Sequence, residues 1–123
     1  MKLLLSILSL LFCLQLCYAQ EVAEPSITFV KQKHGKVAVI KHYNNGQISQ
    51  TGWLKHNKPH GAWASFNAKG HVTAQAQYER GVKIGIWRFW DADGKLFYEI
   101  LYSNGTLISA KQFDNGGAVV ATR

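Results

Sequence analysis

The sequence predicts an all-β fold: an elongated, single-layer antiparallel sheet of repeated β-hairpins, preceded by a signal-peptide helix. Three observations lead there. Gly46, Gly70 and Gly94 recur at a 24-residue interval, which also relates Gly61 to Gly85, Trp63 to Trp87 and Gly81 to Gly105. Between these glycines, apolar and polar residues alternate with a period of two, as strand side chains must when one face is buried. Asn45-Gly46, Asn104-Gly105 and Asn115-Gly116 supply pairs that tolerate the positive φ of a hairpin reversal. A period of roughly 20 to 50 residues marks arrays in which each unit shields the next from water.

The chain opens on Met1-Lys2, followed by an apolar run over residues 3–16 that only Ser6, Ser9 and Gln15 interrupt. Cys17 and Ala19 put small residues three positions and one position before a cut after Ala19, the pattern of a secretory signal peptide over residues 1–19. The run is shorter than the roughly 20 residues of a membrane-spanning helix. Large Leu16 and Phe12 precede Cys17 and Cys13, where a lipidation signal has a small residue. Cleavage leaves residues 20–123, a single domain by length, in a periplasmic or extracellular setting. Both cysteines leave with the signal, so burial and backbone pairing must hold the fold together.

Residues 20–35, with Glu21, Glu24 and Pro25, read as a lead-in to a repeat domain over residues 36–123. Residues 36–43 (KVAVIKHY) form the second strand of an incomplete opening unit. In the units that follow, one face collects Ile48, Gln50, Gly52 and Leu54, then Val72, Ala74, Ala76 and Tyr78, then Leu96, Tyr98, Ile100 and Tyr102. Short return strands follow at 63–66 and 87–90. Gly46, Gly61, Gly70, Gly81, Gly85, Gly94 and Gly105 are structural turn residues, with Asn57 in the corresponding slot of the first unit. The closing unit departs from the pattern. Ser109 and Lys111 stand where the period expects Gly and Trp, Phe113-Asp114-Asn115-Gly116 echoes Tyr43-Asn44-Asn45-Gly46, and residues 118–122 form a last strand. Terminal repeats are commonly atypical because one side meets solvent.

Beyond the signal stand 13 basic and 7 acidic residues, a net +6, with no run of five cations. That balance favours solubility and attraction to an anionic partner. No nucleophile–base–orienter set appears, no phosphate-cradling loop and no mature cysteine, so no enzyme and no cofactor are expected. His56 and His60 have a metal-binding interval that works on a helix, whereas here they flank a turn beside Pro59; no metal is expected. Asp91-Ala92-Asp93-Gly94 lacks the later ligands of a calcium loop and reads as a turn. Asn104-Gly105-Thr106 matches a glycosylation sequon, but the hairpin already requires Asn-Gly there. Trp53, Phe97 and Leu101 alternate away from the main apolar face. With Lys55 and Lys95 they are the candidate binding residues.

The stretches YNNGQISQTGWLKHNKPHGAW (43–63), FNAKGHVTAQAQYERGVKIGIW (66–87) and WDADGKLFYEILYSNG (90–105) resemble the MORN repeat in its bacterial variant, over residues 36–117. The resemblance implies a curved single-layer sheet and a scaffold or interaction role; lipid binding has been proposed for some such proteins, and some carry an antitoxin label of the YwqK type. The expectation is an exported binding or scaffold module that holds a protein or an anionic envelope or lipid component, not nucleic acid. The alternative is an antitoxin- or immunity-like inhibitor of a toxin or enzyme. An open edge strand allows self-association.

Overall fold

The computed structural model describes residues 25–123; the expected signal-peptide helix and cleavage after Ala19 fall outside the described residues. Eleven strands run β1 (Ser26–Lys31), β2 (Lys36–His42), β3 (Ile48–Lys55), β4 (Lys58–Pro59), β5 (Gly61–Phe66), β6 (Val72–Glu79), β7 (Val82–Lys83), β8 (Gly85–Trp90), β9 (Leu96–Ser103), β10 (Thr106–Phe113) and β11 (Val119–Thr122). All belong to one open sheet, ordered β1-β2-β3-β5-β6-β8-β9-β10-β11, with β4 and β7 pairing back onto β3 and β6. Every ladder is antiparallel. A 3-10 turn at Lys33–Gly35 is the one helical element among the described residues.

Two kinds of turn alternate and give the sheet two unlike margins. On one margin His56-Asn57, Arg80-Gly81 and Asn104-Gly105 each hold two consecutive positive-φ residues, the requirement of the two-residue hairpin whose twist matches its strands. Each tight turn docks on the one before: the Gly81 N–H donates to the Pro59 carbonyl and the Gly105 N–H to the Lys83 carbonyl, both at 2.8 Å. On the other margin five-residue loops close with the first residue's N–H on the fifth residue's carbonyl, as from Asn67 to His71 and Asp91 to Lys95. In those two loops the Asn67 and Asp91 Oδ1 atoms each accept two backbone N–H bonds at 2.9–3.0 Å. Such side chains mimic a backbone turn. A β-bulge adjoins each loop, at Lys41/His42, Ser65/Phe66, Phe89/Trp90 and Gln112/Phe113.

Registration puts the large aromatics on one face. Trp63 opposes Ala76 and Trp87 opposes Ile100. Trp63, Tyr78, Trp87 and Tyr102 meet edge to face, with centroids 6.4, 5.1 and 5.2 Å apart. Offset and edge-on rings are the favoured geometry of aromatic pairs. Trp63 lies against Gly52, where any Cβ would run into the indole ring. The Trp87 Nε1 donates to the Gln77 and Ile84 carbonyls at 3.2 Å, while the buried Trp63 Nε1 finds no partner among the described residues. With one layer, burial stays shallow: Val39 is the single buried hydrophobic residue described, at 3% exposure.

Two expectations need correction. The sheet begins at Ser26, not at Lys36, because residues 26–31 pair along β2 from Ser26↔His42 to Lys31↔Val37; their SITFVK sequence supplies the missing first strand of the opening hairpin. The closing unit is a repeat of 23 residues. Gly117 rather than Gly116 takes the positive φ, and Asp114 accepts from the Gly116 and Ala118 N–H groups as Asp91 does from Asp93 and Lys95. Ser109 opposes Leu101 as Ile86 does, and Ala110 opposes Ile100 as Trp87 does. Ile108 alone therefore spans what Ile84 and Gly85 span in the previous unit, so β10 runs unbroken where β7 and β8 separate.

Candidate functional site

The face opposite the aromatic ladder carries the candidate site. Thr51 opposes Ala64, Ala64 opposes Gln75, Gln75 opposes Arg88, and Arg88 opposes Glu99. Toward the tight-turn margin follow Trp53, Ala62, Gln77, Ile86 and Leu101, where Ala62 opposes Gln77 and Ile86 opposes Leu101. Small Ala62 and Ala64 lower the floor between taller neighbours. The result is a shallow groove of about 370 Å³ whose lining includes Thr51, Trp53, Ala62, Ala64, Gln75, Gln77, Ile86 and Arg88, along with Trp63 and Ala76. Trp53 and Ile86 leave 39% and 40% of their surface to solvent.

Chemically the groove offers an aromatic face, an aliphatic wall, two amides, a hydroxyl and a guanidinium. The Arg88 Nε donates to Glu99 Oε2 at 3.1 Å, which fixes the guanidinium at the groove's end. Such a set combines apolar contact area with polar groups able to orient a bound molecule. No three His, Cys, Asp or Glu residues gather as a metal set among the described residues. His56 occupies a tight turn, and the His60 Nδ1 accepts the Arg80 N–H at 3.4 Å.

Of the sequence-derived candidates, the structure brings Trp53, Lys55 and Leu101 to this face. Trp53 and Leu101 stand four strand spacings apart, about 19 Å, with Ile86 beside Leu101. Phe97 is the extra residue of a bulge, since Tyr98 opposes Phe89 while Leu96 opposes Trp90. Its ring stands edge-on to Tyr98 at 5.1 Å. Lys95 ends a loop on the margin opposite Lys55 and has its N–H held by Asp91. Sequence reasoning missed Ile86, Gln75, Gln77 and Arg88; their alternation was visible, but only the pairing of β6 with β8 shows that they flank Trp53.

The two margins also differ in charge. Lys31, Lys33, Lys36, Lys55, Lys58, Arg80 and Lys83 lie at the tight-turn margin with one carboxylate, Glu79. The loop margin holds Asp91, Asp93 and Asp114 against Lys69 and Lys95. The Lys83 Nζ turns to the ladder face, 5.1 Å from the Trp87 and Tyr102 ring centroids, a favourable cation–π distance.

Among the described residues no helix is long and apolar enough to cross a membrane. No curated protein matches the chain. Among solved structures it is similar to the crystal structure of TarM, at 13% identity and a TM-score of 0.49, covering 89% of this chain and 21% of that one. It is likewise similar to an S. aureus TarM mutant in complex with Fondaparinux, alpha-GlcNAc-glycerol and UDP, at 12% identity, the same coverage and a TM-score of 0.49. The chain thus spans about a fifth of the length of these proteins. Residues 83–104 match the family model described as MORN repeat variant. They comprise the end of β7, all of β8 and β9 and the Asn104 turn, one turn-to-turn unit of the sheet. The chain thus has one unit, residues 83–104, that matches the MORN repeat variant.

Proposed function

We propose that this chain is an exported, non-enzymatic binding module that holds a protein or an anionic envelope component in the groove beside Trp53. The observation that carries this reading is the half-exposed indole, set with Ile86 among two glutamines and an arginine on a face with no covering layer among the described residues. An open apolar surface ringed by polar groups marks an interaction site, and exposed tryptophans dominate binding energy where they are buried by a partner. Export rests on the pattern of residues 1–19.

The test pairs binding with stability. Immobilised mature chain and a Trp53→Ala variant are exposed to envelope extract, and both are melted in parallel. The expected result is a species retained by the parent in stoichiometric amount and lost by the variant, with little change in melting. Loss of folding in Trp53→Ala would make the indole core, and retention of the same species by a folded variant would move the site elsewhere.

A further inference from the structure

We infer that the tight-turn margin is a second binding site, a ridge that takes a linear anionic polymer along its length. It borders the Trp53 groove, with Lys55 on the same face and Lys36 lining a hollow with Trp53, and it stands if that reading fails.

The register carries the argument. Lys36 lies directly opposite Lys55, and Lys55 directly opposite Lys58. Three ammonium groups on three adjacent strands thus project from consecutive opposed positions, with Cβ atoms about 5 Å apart in such pairs. Like charges directly opposite one another are destabilising, and the one ion pair among the described residues is elsewhere, between Arg88 and Glu99. The arrangement continues into the next turn. The Lys58 stem lies along Gly81, close enough that a Cβ there would meet Lys58 Cβ at 3.5 Å. Lys55, His56, Lys58 and Arg80 line one cleft of about 300 Å³, and no carboxylate lines it.

An anion seated there removes the repulsion that folding imposes. Linear shape follows from the margin itself. Tight turns recur every two strands, a step of about 10 Å, so the cations form a line along one sheet edge and not a plane. A chain with a charge on each monomer follows such a line at every step, whereas a bilayer meets only the rim. Several exposed charges acting together also make capture strongly dependent on salt.

Long-chain polyphosphate is the probe, titrated against mature protein across a range of salt. The triple variant Lys55→Gln, Lys58→Gln, Arg80→Gln should bind about tenfold more weakly or worse, the combined effect of three charge contacts, and show a shallower salt dependence. The variant Lys69→Gln, Lys95→Gln, Lys111→Gln removes the same net charge off the ridge and should stay within about twofold of the parent. Trp53→Ala should keep polyphosphate binding. Lys58 and Arg80 are exposed and Lys55 is half-buried, and melting of each variant checks that it is folded. Equal losses in both triple variants would reduce the effect to net charge. Competition by orthophosphate at the same phosphate concentration would make the site one for single anions. Capture of phosphatidylglycerol vesicles in place of polyphosphate would assign the ridge to a membrane surface. Any of the three overturns the proposal.

Discussion

The two faces of this sheet are built from the same strands and both carry tryptophan, yet Trp53 on one does different work from Trp63 and Trp87 on the other. On the ladder face Trp63 lies against Gly52 and opposite Ala76 with Tyr78 beside it, and Trp87 lies opposite Ile100 between Tyr78 and Tyr102. On the groove face Trp53 opposes Ala38 and rises beside Ala62, with no aromatic ring to meet. In a single layer no side chain is hidden by a second sheet, so burial comes from neighbours on the same face. Whether an indole stabilises the fold or remains available to a partner depends on what stands one strand away.

The comparison can be broken most directly at Trp87. Replacing it with alanine removes the centre of the ladder, two hydrogen bonds to the Gln77 and Ile84 carbonyls and the Lys83 contact. A loss of about 3 kcal/mol is expected, read as a large fall in the thermal midpoint by circular dichroism. Gly52→Ala comes next. Its methyl group would collide with the Trp63 ring, and overpacking of this kind costs about 2 kcal/mol; a denaturant titration should show a lowered midpoint with an unchanged slope. Trp53→Ala should cost no more than about 1 kcal/mol, since the residue leaves 39% of its surface exposed, while abolishing capture of the groove's partner. A Trp53 substitution as damaging as that at Trp87 would erase the distinction between the faces. Arg88→Gln has the smallest expected effect. Its ion pair with Glu99 is partly exposed, at 40% and 24% for the two side chains. The loss should stay under about 1 kcal/mol and shrink further in high salt.

Much of this architecture was legible in the residues. The 24-residue interval placed the turns, two-residue alternation put Tyr78 and Tyr102 on the apolar face, and the period made Trp63 and Trp87 equivalent; strand register brought the four rings together. What escaped the reading was local irregularity. Residues 26–31 carry no repeat signature, only the pairing that completes the first hairpin. The one-residue contraction at Ile108 kept the Asn104-Gly105 turn in phase but shifted every later equivalence, which is why Lys111 was compared with Trp87 although Ala110 takes that place. Phe97 was assigned a face by alternation, and a bulge is where alternation fails.

The sequence by itself determined the unit: where the chain reverses, which residues share a face within one strand, and how often the pattern returns. Those properties depend on φ preferences and on a side-chain period of two, both of which act over a few residues. Only the tertiary structure decided which residues from different hairpins become neighbours. Lys36, Lys55, Lys58 and Arg80 look dispersed along the chain, and strand register gathers them at one margin. Gln77 and Ile86 become walls of a groove beside Trp53 for the same reason. Cross-strand adjacency is set by the summed lengths of strands and turns, so a single inserted or deleted residue changes every contact beyond it.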